Sequence, residues 1–370
     1  MKRILILALF LLSSCTTVNT QKDTLDSLYS FLFPKPLVQS FDLVMVGDAI
    51  VHSSVYLDAY SNGTYDFTDQ LELMKPVIEP YDLAFFNMES VLGGTELGLS
   101  GYPLFNSPYE FGDAMLDVGF NLVSLVNNHT TDRGKQPLLN TLKYWGDKDV
   151  ITSGVYLTPT ERSTLNISTV NGIKVGFLAY TNSTNIDLPI GNEHMIAYID
   201  LDQMKADVLA LQSYVDVLIV SLHIGEEYID NPTDQQRSVA RFLAGLGVNL
   251  IIQNHSHAIQ PIEWIDDSLV FYALGNFISS QIGTERLIGL TSAITVTKVT
   301  IGNVSKIKLQ DLKVDLNYTY YDSERRNIKV YPWDEISTQL LPDKAKWEAK
   351  YLKIVNAYGA KVSFESVKKD

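Results

Sequence analysis

Short apolar runs recur along the chain, each closing on a cluster of polar residues. They cover residues 41–47, 83–87, 121–126, 174–180, 217–222, 249–252 and 269–274. Their length and their content of β-branched and aromatic residues predict buried strands. Between several of them, residues 111–118, 135–148, 203–214 and 235–246 carry apolar positions at three- and four-residue spacing, which predicts amphipathic helices. Asn106-Ser107-Pro108 and Pro232-Thr233-Asp234 supply plausible helix starts. Strands alternating with helices imply a layered α/β domain. After Gly289 the pattern changes. Residues 291–301, 304–312 and 313–319 alternate as strands, Gly302-Asn303 suits a hairpin turn, and residues 344–357 read as a late helix. We expect the main domain over 41–290 and a β-rich completion of it over 291–370, with a separate C-terminal unit as the alternative.

The N-terminus adds a different signal. Met1-Lys2-Arg3 is basic, residues 4–12 are apolar, and Ser13-Ser14-Cys15 follows. This is the layout of a secretory leader, and its apolar run is too short to span a bilayer as a helix. Leu12-Ser13-Ser14-Cys15 resembles a bacterial lipobox, so residues 1–15 are expected to be a lipoprotein signal peptide with lipidation at Cys15. An ordinary secretory signal with an incidental cysteine shares the same layout. Residues 16–40, polar at first and then holding Pro34-Lys35-Pro36, read as a tether. The expected location is the extracytoplasmic face of the cell membrane, held by a lipid anchor.

Composition narrows the chemistry. The chain has 370 residues, 46% hydrophobic and 19% charged, enough for a sizeable core. A net charge of −14 argues against nucleic acid as a partner. It also means that an anionic substrate needs a local cation. The single cysteine rules out an internal disulfide or a thiolate-rich zinc site.

Chemistry-bearing residues gather where the apolar runs stop. The successive ends carry Asp48, then Asn87-Met88-Glu89, then Asn127-Asn128-His129 with Asp132 soon after. They continue with His223-Ile224-Gly225-Glu226-Glu227-Tyr228, Gln253-Asn254-His255-Ser256-His257, and Gly275-Asn276. Sites in open α/β sheets form beyond the carboxyl ends of strands. Five of the six histidines lie near these ends and only His194 stands apart. Imidazole with carboxylate and no thiolate suits one or two divalent ions such as Zn, Mn or Fe. A pair of ions about 3.5–4 Å apart is the usual apparatus of phosphoester hydrolysis, and Glu89 is placed to bridge them. Each motif alone has a plainer reading. Gly47-Asp48 is a common turn, Asn87-Met88-Glu89 could cap a helix, and a lone His223 could be a structural histidine. His255-Ser256-His257 points more firmly to a metal. Asp132 and Glu226 read as residues that orient histidines, and His52 as a further ligand or a cleft residue. Arg133 and Tyr228 are candidates for contacting an anionic substrate, or ordinary surface residues.

The ordered series from residue 41 to 277 resembles the CapA-type capsule and poly-γ-glutamate synthesis proteins. It includes Val46-Gly47-Asp48, Asn87-Met88-Glu89, residues 127–134, residues 221–228, residues 251–261 and residues 271–277. That family resembles a branch of the calcineurin-like metallophosphatases, which implies a four-layer αββα sandwich with mixed sheets. By position, the resemblance implies Asp48, Glu89, Asn128, His223, His255 and His257 as metal ligands, and His129 as the cleft residue beside the substrate. Together with Asp132 and Glu226, His129 forms the expected catalytic set. One departure stands out: metallophosphatases open with Asp-X-His, and here Ile50 holds the histidine position. The implied role is a metal-dependent hydrolase in capsule or poly-γ-glutamate production or export. It would act on an anionic envelope polymer or a phosphorylated substrate, beside membrane synthase subunits. The alternatives are an unrelated extracytoplasmic phosphoesterase and a non-catalytic scaffold with a degenerate site.

Overall fold

A computed structural model describes residues 35–369. The leader, Cys15 and the tether as far as residue 34 lie outside the described residues. The strands, in chain order, are β1 Leu37–Ala49, β2 Tyr60–Ser61, β3 Thr64–Tyr65, β4 Leu83–Met88, β5 Leu122–Ser124, β6 Ile151–Ser153, β7 Ile167–Val170 and β8 Ile173–Thr181. There follow β9 Val217–His223, β10 Leu250–Asn254, β11 Ile262–Ile265, β12 Ser268–Phe271, β13 Asn276–Ile278, β14 Ile288–Ile301, β15 Val304–Tyr320 and β16 Lys329–Pro332.

Two mixed sheets carry the fold. The first runs β16-β15-β14-β1-β4-β5-β6, with β13 also paired to β1; the second runs β11-β12-β10-β9-β8-β7. In the first, β1, β4, β5 and β6 are parallel, while β14, β15 and β16 are antiparallel additions. In the second, β12, β10, β9 and β8 are parallel, and β11 and β7 close the two edges antiparallel.

Side-chain alternation sorts these sheets into layers. On β4, Phe85 meets Phe177 of β8 at 6.2 Å, so this face lies against the second sheet. Its neighbour Phe86 points the other way, to Phe120 at 5.1 Å and to Trp145 of the helix Lys135–Gly146 at 6.3 Å. On β8 and β9, Leu178, Tyr180, Leu218 and Val220 face a separate core. It includes Met204, Val208, Val239 and Leu243 of the helices Leu201–Gln212 and Asp234–Gly245. Helix, sheet, sheet, helix is the expected αββα sandwich.

The helix starts follow local chemistry. Thr233 caps Asp234–Gly245 with a reciprocal box: Gln236 N donates to Thr233 Oγ1 at 3.2 Å and Thr233 N donates to Gln236 Oε1 at 2.9 Å.

Three differences from the sequence reading have physical causes. Residues 37–40 belong to β1 and not to the tether, because they pair with Thr297–Thr300 of β14; that partner lies far along the chain and leaves no local pattern. Residues 304–312 and 313–319 form one strand, β15, interrupted by a bulge in which Asp311 and Leu312 stand opposite Ile294, with Asp311 at φ 55°. The short helices Ser53–Asp58, Thr68–Leu71 and Lys75–Ile78 escape periodicity because each is under two turns. Among the described residues, no helix is long and apolar enough to cross a membrane.

Candidate metal centre

The carboxyl ends of β1, β4, β5, β9 and β10 meet at one seam between the sheets. β1 approaches the loop before β13 so closely that a Cβ on Gly47 would lie 1.8 Å from the Gly275 carbonyl oxygen. Asp48 N donates to that oxygen at 2.9 Å, which fixes the next residue. Glu89 follows β4 and its N–H donates to Ala49 O at 3.1 Å. Asn127 holds the turn after β5, taking the His129 N–H on Oδ1 at 2.9 Å and giving its Nδ2 to Met88 O at 2.8 Å. His223 ends β9. His255 and His257, just past β10, both adopt left-handed backbone, at φ 102° and 51°. Such strain in non-glycine residues persists where the surrounding structure enforces it, and it clusters at functional sites.

The side chains converge. His223 Nε2 lies 2.8 Å from Asn128 Oδ1, 3.0 Å from His255 Nδ1 and 3.5 Å from Glu89 Oε1. His257 Nδ1 lies 3.4 Å from Asp48 Oδ2, and its Nε2 lies 3.6 Å from Glu89 Oε1. Two trios, Glu89–His223–His255 and Asp48–Glu89–His257, each bring their donor atoms within 4.8 Å of one another, and Glu89 belongs to both. All six ligands implied by the resemblance therefore meet in one pocket.

The donor set fits a divalent cation on independent grounds. Among the described residues, both oxygens of Glu89 are buried without a hydrogen-bond partner, a costly arrangement unless something positive sits beside them. Burial, then the Asp48 carboxylate, push the Glu89 carboxyl well above its usual range. Burial and the other imidazoles hold His223 well below its usual value and lower His255 as well. The lowered imidazoles are neutral and so ready to donate a lone pair to a metal, whereas the raised Glu89 carboxyl is the group whose ionised form a bound cation would restore. Asn276 settles the tautomer of His257. Its Nδ2 donates to Arg286 O at 2.8 Å and Gln281 Oε1 at 3.0 Å, leaving Oδ1 to accept from His257 Nδ1 at 2.9 Å. The lone pair of His257 is then on Nε2, toward Glu89.

His129 stands beside this cluster with Asp132. Its Nδ1 lies 2.7 Å from Asp132 Oδ2, which also accepts the Phe105 N–H at 2.7 Å. Phe105 packs edge-on against the His129 ring at 4.6 Å and against His52 at 5.4 Å. Glu226 does not join the arrangement. It is exposed and makes no hydrogen bond to an imidazole among the described residues, because Gly225, at φ 126°, turns the chain away after β9. The neighbouring Glu227 is the carboxylate whose charge acts on Glu89 and His255. Arg133 is committed to the carbonyls of Leu97 and Gly98. Tyr228 sits at the rim, its ring 5.8 Å from His257 and covered by the Arg286 guanidinium at 3.7 Å. Ile50 is buried and donates its N–H to Ile278 O at 2.9 Å. Sequence reasoning left Asn87, Asn185 and Asn276 without roles. Asn87 and Asn276 stood at strand ends and could have been assigned. Asn185, whose Nδ2 is 3.0 Å from His129 Nδ1, lies in a loop without a motif.

Residues 42–281 match the family model described as bacterial capsule synthesis protein PGA_cap. The chain belongs to this family. Among curated members of the capsule synthesis group, it is 30% identical over 178 residues to the PGA biosynthesis protein CapA of Bacillus subtilis (strain 168), covering 45% of this chain and 44% of that one. It is 27% identical over 174 residues to the capsule biosynthesis protein CapA of Bacillus anthracis, covering 45% and 42%. The match thus spans less than half the length of these capsule synthesis relatives. A solved 5'-nucleotidase from Candida albicans SC5314 superposes with a TM-score of 0.43 at 12% identity, over 85% of this chain and 58% of that one.

Proposed function

We propose that this capsule synthesis family member is a metal-dependent hydrolase of the cell envelope, acting in capsule or poly-γ-glutamate production. The observation that carries the reading is Glu89, a buried carboxylate with two unpartnered oxygens shared by two ligand trios. Asp48, Glu89 and His257 would hold one divalent ion, and Glu89, His223 and His255, with Asn128 beside them, would hold a second. Mn, Zn and Fe suit this set. Such ions act as Lewis acids toward a phosphoryl or carbonyl oxygen and generate a nucleophile from water near neutral pH. The protein's own contribution lies in the surrounding residues. Asp132 accepts the Nδ1–H of His129 and fixes the ring, so that Nε2 is the atom that gives or takes a proton at the substrate. Asn276 does the corresponding service for His257. The strained turn at His255–His257 keeps both imidazoles directed inward.

The names of the capsule synthesis relatives support a substrate from the capsule or poly-γ-glutamate pathway, either the anionic polymer or a phosphorylated precursor. The leader and Cys15 support a lipid anchor on the extracytoplasmic face, next to membrane synthase subunits. A scaffold reading has one observation in its favour: Ile50 occupies the position of the second ligand in Asp-X-His, which weakens one ion position. Elemental analysis of the purified full chain separates the two, followed by a screen of phosphoester and γ-glutamyl substrates. The hydrolase reading expects bound metal and chelator-sensitive turnover. Metal-free protein that is indifferent to chelator leaves only the scaffold.

A further inference from the structure

A groove of about 510 Å³ opens beside the ring of His52, lined by His52, Ser54, Tyr102, Ser280, Arg325 and Arg326 among others. The buried Phe105 ring packs against His52 at 5.4 Å and against His129 at 4.6 Å, so one aromatic ring lies between the groove wall and the proton-transfer residue.

Its charge is unusual for this chain. In a protein of net charge −14, two guanidinium groups line one groove, and neither is ion-paired among the described residues. Arg326 donates Nη1 to the Leu57 carbonyl at 2.7 Å. The side chain of Arg325 makes no hydrogen bond or ion pair among the described residues, although Glu324 lines the same groove. The loop that presents Arg325 is held firmly. Asp322 Oδ1 accepts the N–H groups of Glu324 and Arg326, each at 2.9 Å, and Asp322 Oδ2 accepts from Asn327 Nδ2 at 2.7 Å. Asn327 N donates to Asp58 Oδ1 at 2.8 Å and ties the loop to the helix Ser53–Asp58. Arg325 itself is left-handed, at φ 55°.

Neutral donors complete the lining. Ser54 Oγ donates to Ser280 Oγ, which leaves the Ser280 proton available. His52 Nδ1 accepts the Ser280 N–H at 3.3 Å, so the neutral ring carries its proton on Nε2 as a further donor. Arg325 lies beyond residues 42–281 matched by the family model, so it is a feature of this chain's C-terminal segment.

We propose that this groove is an anion subsite that receives a carboxylate of the substrate chain next to the group held at the metal centre. Arg325 is the ion-pairing residue, and Ser280 and His52 supply neutral hydrogen bonds. The assignment rests on the hydrolase reading, because it takes the metal centre as the place where the same chain is held.

Binding to the full chain by titration calorimetry tests it, with a short γ-linked glutamate oligomer and, separately, inorganic phosphate as probes. Arg325→Asn removes the charge and suits the left-handed backbone. It should weaken oligomer binding about five- to tenfold, leave phosphate binding and metal content unchanged, and flatten the salt dependence. Arg325→Lys should retain most of the affinity, and Glu324→Gln should strengthen it. Thermal unfolding of each variant shows whether the fold is intact. Unchanged oligomer affinity in Arg325→Asn, or an effect confined to phosphate, overturns the carboxylate subsite. Wild-type protein that binds no oligomer overturns it as well. Arg325-dependent oligomer binding by protein that contains no metal would sustain the subsite while removing the hydrolase reading.

Discussion

The Glu89 carboxyl lies between Asp48 and the imidazoles, fully buried, and among the described residues neither oxygen has a hydrogen-bond partner while Asp48 keeps its charge. Removing it takes one donor from each trio at once, whereas removing His255 takes one donor from a single trio. Glu89→Ala is therefore expected to abolish metal occupancy, and His255→Ala to reduce it by about half, both read by elemental analysis of protein that still unfolds cooperatively. If both variants keep full occupancy, the ligand assignment is wrong. Asp132 acts at one remove. Asp132→Asn keeps an oxygen for the Phe105 N–H but presents His129 with a weaker partner. It should lower kcat about tenfold or more with metal content unchanged, and a double variant with His129→Ala should be no worse than His129→Ala alone. The residues themselves were legible in the sequence because polar side chains at the ends of apolar runs have few structural uses. Glu226 was not, since nothing in its local sequence shows that it stays exposed, outside the imidazole cluster.

Strands and helices place those side chains, and their own constraints can be tested. Gly47 carries the sharpest one. With the Gly275 carbonyl 1.8 Å from where a Cβ would stand, neither backbone has room to yield. Gly47→Ala should cost at least about 3 kcal/mol in denaturant unfolding and displace Asp48 with it. β15 holds a second constraint. Asp315 is 8% exposed, and burial pushes its carboxyl up to about 7 from an ordinary 3.8. The folded chain keeps this proton where the unfolded chain releases it. Stability is then fully present below about pH 4 and is lost as pH rises toward 7, by an amount on the order of a few kcal/mol. Asp315→Asn should erase that slope and stabilise the chain at pH 8, as followed by urea midpoints across pH. Helix and strand periodicity made most of these elements visible beforehand. The exceptions were helices too short to show a period and features set by distant partners: residues 37–40 become strand because β14 lies alongside, and the β15 bulge forms against Ile294.

At the scale of the molecule, Asp48, Glu89 and Asn128 come from the first sheet, and His223, His255 and His257 come from the second. The sequence showed that these groups share strand ends, but not that the ends belong to two layers, because the order of strands in space is settled by crossovers that leave no local trace. That division has a consequence for how the protein comes apart. A cation gripped from both sides would rivet the two halves of the sandwich, so that neither could peel away without releasing it. Backbone amides at the last residues of β4, β9 and β10 should then exchange their hydrogens far more slowly with metal than after dialysis against chelator. Those on the remote β15–β16 edge should be indifferent. Equal exchange at both places would mean that the interlayer seam is closed by packing alone.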